Sequence, residues 1–496
     1  MIKIISSIFR SAWEGISKNE DVVSFVRHHP KIFSFLKKRF DRKSFYGLPL
    51  TILSVIFFYT LLLLFGIVED FLTSDPIVYV DVRLNNLLHA FRNPFWVKAF
   101  LFITLLGKMQ IITIGLVVVG VVLYKHKEKL YIFGMLGSVA VSSMIVFVGK
   151  YIFNRPRPDF PVYFESSASF PSGHAAVSLA FYGFVAYVLV RSSQTRRLRI
   201  FWVLKLIVLS GLIGLSRMYL GVHYLSDVIS GYLVGFLCLV SAISLVEWKK
   251  SSNIGGAASP PSVKTAYAGA VVFLVFFLSF GALYHPNLLL EKQTGSNTIA
   301  RPDPASLFES SSLPRTTETL TGTAQEPISL IIVAAGDQEF VAAWEKAGWV
   351  KADQPNFRSM YRLAKAAVTN QEYLAAPMTP SFWNAQVHDF GFERSTEKNT
   401  VRERHHARFW KSGYLALDGK SIYVGTASLD QGIKWLITHT ISPDIDSERN
   451  FVVANLRDAG IVESARAVKM VMPVLGQNFS GDPFFTDGEA DVIILK

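Results

Sequence analysis

Cysteine is almost absent from this sequence, since Cys238 is the only one. A disulfide framework and a zinc site built from cysteines are therefore excluded. Charged side chains are also scarce, at 18% of the residues, whereas half of the residues are apolar and the mean hydropathy is +0.32. This composition excludes a disordered chain and an ordinary soluble enzyme, and it favours a membrane protein. The length, 496 residues, predicts two or more domains.

The positive charges are concentrated in the first part of the chain. The formal net charge is +12, but residues 1–285 hold 29 lysines and arginines against 13 acidic residues, which gives +16. Residues 286–496 hold 21 against 25, which gives −4. A basic, apolar half followed by a mildly acidic half predicts two compartments rather than a nucleic-acid-binding protein.

Seven apolar segments are candidate membrane spans, since a helix needs about 20 apolar residues to cross a bilayer. The weaker apolar stretch Ala99–Gly107 is predicted to extend the second span towards the N-terminus. The fifth contains Lys205, whose long side chain can reach the bilayer surface from near a span end. The seven segments are Leu48–Val68, Met109–Tyr124, Leu130–Gly149, Pro171–Val190, Ile200–Ser216, Val228–Val246 and Thr265–Tyr284.

The distribution of lysine and arginine between the loops predicts the orientation. Residues 1–46 and the loops on the same side of the spans hold 20 basic residues, and the opposite loops hold eight. The positive-inside rule therefore predicts a cytoplasmic N-terminus. The first apolar run is full length, which predicts an uncleaved anchor. After seven crossings the chain is predicted to continue outside, so we expect a multi-pass protein of the bacterial inner membrane with a periplasmic C-terminal part.

The predicted fold class is an α-helical integral membrane bundle followed by a soluble α+β domain. We expect a basic cytoplasmic segment over residues 1–46, a six-helix membrane core over 47–250 and the seventh span over 265–284. Frequent proline, serine and threonine predict a linker over 286–327. Beyond the linker, alternating apolar patterns predict strands and helices, and hence a compact α+β domain over 328–496.

Three clusters of polar and charged residues lie at predicted span ends, all on the outer side. The first closes the third span, the second opens the fourth, and the third closes the fifth and opens the sixth. Because consecutive spans alternate in direction, these ends meet at one surface and form a candidate functional site. The residues are Lys150, Arg157 and Pro158; Pro171, Ser172, Gly173 and His174; and Ser216, Arg217, His223 and Asp227.

The residue types in these clusters suit a phosphate monoester. Lys150, Arg157 and Arg217 offer three cations, and arginine can donate two parallel hydrogen bonds to phosphate oxygens. Ser172 and Gly173 precede a helix, so backbone N–H groups can face the same anion.

Two histidines and one aspartate supply the remaining chemistry. His223 and Asp227 are spaced i, i+4 and share one helix face. The carboxylate can accept a hydrogen bond from one ring nitrogen and leave the other as a nucleophile. His174 can donate a proton to the leaving oxygen. Arg155, inside the first cluster, is predicted either to contact phosphate or to lie among lipid headgroups. No carboxylate cluster suited to magnesium lies nearby, so the reaction is predicted to need neither a metal nor another cofactor.

With these residues the sequence resembles the type 2 phosphatidic acid phosphatase superfamily. Its signatures KxxxxxxRP, PSGH and SRxxxxxHxxxD are all present in the same order and spacing. The resemblance covers about residues 48–250 and implies a six-helix membrane core. It also implies that His223 attacks phosphorus, that Asp227 orients His223, and that His174 protonates the leaving group. The residues implied to bind the phosphate oxygens are Lys150, Arg157, Ser172, Gly173 and Arg217.

The predicted function is metal-independent hydrolysis of a lipid phosphate or diphosphate. The superfamily includes phosphatases for phosphatidic acid, phosphatidylglycerophosphate, undecaprenyl diphosphate and lipid A phosphate, and the three signatures do not separate these substrates. One alternative is a lipid phosphotransferase with the same phosphohistidine. A second is a vanadium-dependent haloperoxidase, against which seven spans argue. A third is a non-enzymatic envelope or secretion scaffold in which the C-terminal part acts. The expected partner is a lipid phosphate of the bilayer.

The C-terminal part resembles the LssY-like domain appended to some bacterial phosphatases of this superfamily. The resemblance rests on residues 404–410, 424–430 and 438–449, and it implies no activity. Between two apolar runs, Asp418-Gly419 predicts a hairpin turn rather than a nucleotide-binding loop.

Histidines and aspartates in this part allow two interpretations. Imidazole and carboxylate ligands suit a metal site, whereas an aspartate before a helix suits an N-cap. In a strand, adjacent histidines point to opposite faces and do not easily bind one ion, so no metal site is predicted. The residues concerned are His405, His406, His439, Asp444 and Asp446.

Overall fold

The computed structural model describes residues 19–74, 76–252, 263–289, 300–301, 303–310, 313–369, 371–400, 403–434, 438–478 and 481–496. Within these residues, a helical N-terminal half precedes a C-terminal half that is rich in β-strands. The predicted fold class, a membrane helical bundle followed by a soluble α+β domain, is confirmed.

The described part of the N-terminal half is built from α-helices and one 3₁₀ turn, Leu105–Gly107. The helices are α1 (Glu20–His28), α2 (Pro30–Arg39), α3 (Leu48–Thr73), α4 (Pro76–Ala90), α5 (Pro94–Thr104), α6 (Met109–Lys125), α7 (Lys129–Phe153), α8 (Gly173–Ser192), α9 (Arg196–Tyr219), α10 (Leu225–Ser252) and α11 (Val263–Leu283).

Six of the seven predicted spans correspond to long apolar helices. In the described part of the chain, α3, α7, α8, α9 and α10 are each long and apolar enough to cross a bilayer. The second predicted span is the bent pair of α5, with its 3₁₀ turn, and α6, which meet at 49°. Its predicted N-terminal extension is therefore present. The apolar section of α11, Tyr267–Leu283, is shorter than the other spans, and the seventh crossing stays a prediction.

Helix α4 was not predicted from the sequence. Its 15 residues are too few to cross a bilayer. It lies between the first two spans and carries four buried polar residues, Asp81, Arg83, Asn85 and Asn86. Buried polar groups need hydrogen-bond partners. Asp81 finds them in the helical bundle, and Arg83 and Asn86 find them in the C-terminal half.

Close packing of α8 against α10 brings the two predicted catalytic segments together. A Cβ atom at Gly231 would lie 2.4 Å from the carbonyl oxygen of Ser172, and one at Gly235 would lie 2.3 Å from that of Ala176. Only glycine allows the backbones to approach so closely. At the end of this contact the Ser172 N–H donates a 2.9 Å hydrogen bond to the Asp227 carbonyl oxygen.

The C-terminal half contains one large sheet and two small ones. The nine-stranded sheet has the order β12-β15-β4-β10-β9-β8-β5, with β1 beside β9 and β11 beside β10. The pairs β15–β4 and β1–β9 are parallel, and the other pairs are antiparallel. The strands are β1 (Ala300–Arg301), β2 (Thr316–Glu318), β3 (Ala324–Pro327), β4 (Leu330–Ala334), β5 (Val350–Lys351), β6 (Phe382–Trp383), β7 (Gln386–Val387), β8 (Phe390–Thr400), β9 (Glu403–Ala416), β10 (Ser421–Lys434), β11 (Thr438–Ile441), β12 (Val462–Lys469), β13 (Val474–Gln477), β14 (Pro483–Thr486) and β15 (Glu489–Leu495).

Apolar side chains cover both faces of the large sheet, because successive residues of a strand point to opposite sides. On one face, Phe340 and Trp344 pack against Phe409. On the other face, Trp410 and Val424 belong to a second buried cluster. The helices of this half are α12 (Leu307–Ser310), α13 (Asp337–Lys346), α14 (Phe357–Thr369) and α15 (Ile445–Asp458).

The structure bears on two sequence predictions for this half, the hairpin turn at Asp418-Gly419 and the linker over 286–327. The hairpin turn is present, since β9 and β10 pair across it and Gly419 has a φ of +82°, which favours glycine. The predicted linker over 286–327 is too long. Residues 300–327 contain β1, α12, β2 and β3, and Leu307 and Phe308 are buried in the second cluster. Burial of these two large apolar side chains folds the segment onto the domain in spite of the surrounding proline and serine.

Polar contacts join α4 to the C-terminal half. Arg83 forms an ion pair with Glu318 of β2, and both side chains are nearly buried. The amide of Asn86 donates a 2.9 Å hydrogen bond to the Ala385 carbonyl oxygen. The segment after α11 also contacts the bundle, because the Leu289 N–H donates to the Val162 carbonyl oxygen at 2.9 Å.

Candidate active site

The three clusters predicted from the sequence meet at one end of the bundle. Lys150 lies in the last turn of α7, and Arg157 follows in the loop over residues 154–172. Ser172 immediately precedes α8, and Gly173 and His174 begin that helix. Arg217 lies in the last turn of α9, His223 lies in the connection to α10, and Asp227 lies in the first turn of α10.

His223 and Asp227 form the pair that their spacing predicts. The Nδ1 atom of His223 lies 3.4 Å from Oδ2 of Asp227, and both side chains are buried. The backbone N–H of Tyr224 donates to the same carboxylate oxygen at 2.9 Å. The other ring nitrogen of His223, Nε2, lies 3.4 Å from the guanidinium of Arg157. One ring nitrogen therefore faces a carboxylate and the other faces a cation.

The environment of His223 keeps its imidazole neutral. Burial is the largest cause, and the nearby positive charges of Arg217, Arg157 and Lys150 act in the same direction. Together they hold the pKa of His223 well below its ordinary value. A neutral imidazole has a lone pair on the nitrogen that faces Arg157 and can act as a nucleophile.

The loop between α7 and α8 holds two of the cations in place. Arg157 donates from Nη1 to the Val222 carbonyl oxygen at 2.5 Å and from Nε to the Ser167 carbonyl oxygen at 2.8 Å. The Nζ atom of Lys150 lies 3.1 Å from the Ser167 hydroxyl and donates to the Ala168 carbonyl oxygen. These contacts hold both cations near His223.

Glu165, which sequence analysis did not single out, bridges two arginines of the site. Its Oε1 lies 2.6 Å from Arg217 Nη2, and its Oε2 lies 3.1 Å from Arg157 Nη2. Burial alone would raise the pKa of Glu165, but Arg217, His174 and Arg157 together hold it well below its ordinary value. An ionised carboxylate thus occupies arginine donors that were predicted to bind phosphate oxygens.

Arg217 and His174 complete the inner wall of the site. Arg217 is fully buried and donates to the Thr104 hydroxyl at 3.0 Å and to the Tyr163 hydroxyl. Among the described residues, His174 Nε2 and the Ser172 hydroxyl are buried with no hydrogen-bond partner. Two unpartnered polar atoms beside a cluster of cations indicate room for an anion that would accept their protons.

Arg155 has a role that the sequence did not indicate. Its guanidinium donates to Asp227 Oδ1 and to the Ser226 hydroxyl, each at 2.7 Å, and to Asp81 Oδ2 at 2.8 Å. Asp81 also accepts from the Ser226 backbone N–H at 2.9 Å. The Arg155 guanidinium is therefore buried among side chains of the bundle. It holds the carboxylate that faces His223.

The histidines and aspartates singled out in the C-terminal half do not form a single cluster within the described residues. His405 and His406 lie on opposite faces of β9, since His405 contacts Glu448 at 2.9 Å and His406 contacts Ser428 at 2.7 Å. Asp444 is the N-cap of α15 and accepts from the Ser447 N–H at 3.0 Å. The side chain of His439 lies outside the described residues. In the described parts of the chain, no group of three His, Cys, Asp or Glu side chains is placed to hold a metal ion.

Family comparisons agree with this arrangement. A family model described as the PAP2 superfamily matches residues 131–251, and one described as the LssY C-terminus matches residues 310–490. The membrane half contains a PAP2 superfamily domain. The matched residues of the PAP2 domain include all three signatures, and the family resemblance read from the sequence is confirmed for both halves.

Relatives of the PAP2 domain are lipid phosphatases. Phosphatidylglycerophosphatase B of Bacillus subtilis (strain 168) is 28% identical over 181 residues, which are 36% of this chain and 89% of that protein. Sphingosine-1-phosphate phosphatase 1 of Rattus norvegicus is 30% identical over 118 residues, 22% of this chain and 27% of that protein. The PAP2 domain of this chain is therefore similar to lipid phosphatases, which are phosphoric monoester hydrolases.

A solved structure also aligns with the PAP2 domain. It is the first transmembrane PAP2 type phosphatidylglycerolphosphate phosphatase from Bacillus subtilis. The sequence identity is 27% and the TM-score is 0.36, and the alignment covers 40% of this chain and 96% of that chain.

Proposed function

We propose that this protein hydrolyses the phosphate of a membrane lipid through a phosphohistidine on His223, without a metal ion. The observation that carries the proposal is the placement of His223 between Asp227 and Arg157, with 3.4 Å on each side. A carboxylate on one ring nitrogen fixes the tautomer and leaves the other nitrogen free to attack. The adjacent guanidinium can bind the phosphate that is attacked.

The reaction proceeds in two displacements. In the first, Nε2 of His223 attacks phosphorus, the bond from phosphorus to the lipid oxygen breaks, and His174 gives a proton to that oxygen. In the second, water attacks the phosphohistidine, His174 takes a proton from the water, and the P–N bond breaks to release phosphate. Asp227 stabilises the positive charge on the ring of His223 in both steps.

The remaining site residues bind the phosphate oxygens. The side chains of Lys150, Arg157 and Arg217 neutralise the negative charge that develops on these oxygens. Ser172 and Gly173 add donors at the start of α8, where the helix dipole also favours an anion. Arg217 is fully buried, so its contribution is made in a region of low dielectric, where charge interactions are strong.

The substrate class follows from the place of the site at the ends of α7, α8 and α10. A phosphate bound there leaves its lipid tail in the bilayer. Because a bacterial relative is a phosphatidylglycerophosphatase, we propose phosphatidylglycerophosphate as the first substrate to test. Phosphatidic acid and undecaprenyl diphosphate complete the panel.

Phosphate release by detergent-solubilised full-length protein tests the proposal. Each lipid is assayed with EDTA present, for the wild type, His223→Ala and Asp227→Asn. We expect release by the wild type, no detectable release by His223→Ala, and acid-labile ³²P on the wild type during turnover. Transfer of phosphate to a second lipid instead of water would favour a phosphotransferase. Loss of activity with EDTA that zinc or magnesium restores would contradict the metal-independent mechanism.

The orientation is part of the same proposal. We infer a multi-pass inner-membrane protein with a cytoplasmic N-terminus and with the active site and the C-terminal domain in the periplasm. Because Cys238 is the only cysteine and is buried, cysteines introduced one at a time in a Cys238→Ala background give a clean accessibility map. We expect an impermeant maleimide to label exposed Asp159→Cys and exposed Lys398→Cys in intact spheroplasts, but not Lys127→Cys.

A further inference from the structure

The C-terminal half contains a buried polar row that has no part in phosphate chemistry. It lies on one face of the strand pair β9–β10. At one end of the pair this face is apolar, with Trp410 and Val424. Further along, the same face carries buried polar residues, and a core-forming sheet has no need of them. These residues are Arg404, His406, Thr426, Ser428 and Asp430, and half-buried Arg408 lies on the same face.

Three residues of the row lie close to one another. The Ser428 hydroxyl lies 2.7 Å from Nε2 of His406. The other ring nitrogen, Nδ1, lies 3.0 Å from Oδ1 of Asp430. The strand register explains this arrangement, because Ser428 is paired directly with His406 and Asp430 lies two residues further on the same face. Each of the three side chains is nearly completely buried.

A cavity of about 310 Å³ borders the three residues. Its volume is within the range of about 300–1,000 Å³ that is typical of small-molecule sites. The wall includes Ser428, His406 and Asp430, together with Arg408, whose Nη1 lies 3.0 Å from Nε2 of His406. Among the described residues, Nε of Arg408 is buried and has no hydrogen-bond partner. A cavity lined by a hydroxyl, an imidazole and a guanidinium is suited to a polar ligand.

We propose that Ser428, His406 and Asp430 form a second catalytic site, a serine hydrolase that cleaves a carboxylic ester. A hydroxyl, an imidazole and a carboxylate in this order are the parts of a nucleophilic triad, which is recognised by its geometry rather than by its fold. Arg408 lies beside the nucleophile and stabilises the negative charge on the attacked carbonyl oxygen.

The reaction consumes only the ester and one water molecule. Ser428 Oγ attacks the carbonyl carbon while its proton passes to Nε2 of His406, and the collapse of the tetrahedral intermediate breaks the bond to the alcohol oxygen. His406 gives its proton to that oxygen, which leaves an acyl group on Ser428. Water then attacks the acyl carbon, His406 takes its proton and returns one to Ser428, and the carboxylic acid is released. Asp430 holds Nδ1–H throughout.

The position of the cavity points to an ester that reaches it from the membrane surface. Leu87 of α4 contributes to the cavity wall, and α4 connects two membrane-spanning elements. The other wall residues come from the C-terminal half. A substrate that enters beside α4 approaches from the bilayer, so the substrate class is a lipid ester rather than a free soluble one.

The test uses full-length protein in detergent, a fluorophosphonate probe and p-nitrophenyl butyrate. We expect the probe to label wild-type protein at Ser428, as located by peptide mass spectrometry. We expect Ser428→Ala and His406→Gln each to lower ester hydrolysis at least 10³-fold, since members of a triad act as a unit. Asp430→Asn, which supports the wrong tautomer of His406, should lower hydrolysis by a similar factor.

Two controls separate this site from the phosphatase and from misfolding. Ser329→Ala removes a buried hydroxyl of the same domain and should leave labelling and hydrolysis unchanged. His223→Ala should abolish phosphate release but not ester hydrolysis, whereas Ser428→Ala should keep phosphate release. Absence of label at Ser428 from the folded wild type, or ester hydrolysis that Ser428→Ala does not reduce, would overturn the proposal and leave a polar binding pocket.

Discussion

One guanidinium nitrogen of Arg155 lies 2.8 Å from Asp81, and the other lies 2.7 Å from Asp227. The carboxylate that faces His223 is thus tied, through one arginine, to a helix outside the three signatures. All three side chains are buried, where charge interactions are strong because water is excluded. The chain Asp81–Arg155–Asp227 fixes the position of the carboxylate and, through it, of the imidazole.

Asp81→Asn tests this chain of contacts. Without the second carboxylate, Arg155 turns away from Asp227, and a displacement of about 1 Å at a reacting group costs roughly 10²-fold in rate. We therefore expect kcat for phosphate release to fall about 10–100-fold with little change in KM. The matched control is Asp159→Asn, an exposed carboxylate in the loop over residues 154–172. A fall in both variants, or a rise in KM alone, would contradict a positioning role for Asp81.

Glu165→Gln tests the competition between a carboxylate and phosphate for the same arginines. The carboxylate of Glu165 lies within 3.1 Å of both Arg157 and Arg217. A neutral amide holds these guanidinium groups less strongly, because the hydrogen bond is no longer charge-assisted. We expect the inhibition constant of orthovanadate to fall several-fold. Glu247→Gln, which removes the partner of Arg191 at the other end of the bundle, should leave the constant unchanged. Weaker inhibition in Glu165→Gln would mean that Glu165 positions the arginines instead.

The pH dependence of phosphate release reports the state of His223. Burial and the neighbouring cations hold its pKa below the ordinary value of about 6.5. Since the neutral ring is the nucleophile, activity is lost only when pH falls through this lowered pKa. We expect kcat/KM to show no protein-derived fall between pH 7.5 and 6.5. Because the phosphate of the substrate also titrates near pH 6, its own pKa is measured by ³¹P NMR and its contribution is divided out. If the corrected kcat/KM still falls on the acid side at or above pH 6.5, the pKa of His223 is not lowered.

The ion pair of Arg83 and Glu318 joins the two halves of the protein. The Arg83 side chain is 8% exposed and the Glu318 side chain is 9% exposed. Removing one partner of a buried pair leaves an uncompensated charge and costs about 3–5 kcal/mol, whereas replacing both is often neutral. We expect Glu318→Met to lower the thermal midpoint of the C-terminal domain and Arg83→Met/Glu318→Met to restore most of it.

A matched surface pair provides the control for that experiment. Arg466 and Asp303 are about half exposed, and pairs of this kind contribute about 0–1 kcal/mol. Asp303→Asn should therefore leave the midpoint almost unchanged. If Glu318→Met behaves like Asp303→Asn, the contact between α4 and the C-terminal domain contributes little to stability.

The membrane half was largely predictable because its signals are local. Runs of about 20 apolar residues mark the spans, and the three signatures lie at span ends that alternate in direction. What the sequence did not indicate are the partners that long-range packing supplies. Asp81 is 146 residues from Asp227, and no spacing rule connects them. Its only local signal is that it lies in a 15-residue segment in which Arg83, Asn85 and Asn86 are also polar.

The C-terminal half was predicted less completely, because strand pairing is decided far from each strand. The apolar pattern of a strand is confined to residues 421–425, whereas β10 extends to Lys434. The polar face of β10 breaks the apolar alternation on which the prediction relied. Those same polar residues, Ser428 and Asp430, line the cavity beside His406. The failure of the apolar pattern therefore coincides with the proposed second site, as is expected where function overrides packing.

The segment that leaves α11 is built into the phosphatase. Lys108 lies 3.6 Å from the centre of the Tyr284 ring, and Leu288 pairs as an isolated β-bridge with Tyr163, whose hydroxyl accepts from Arg217. For chimeras in which the C-terminal domain is exchanged, the usable junction therefore lies after Leu289 rather than before α11. A fusion made at the end of α10 would remove α11 and the segment to Leu289. It would therefore also remove the contacts of Tyr284 and Leu288 beside Arg217.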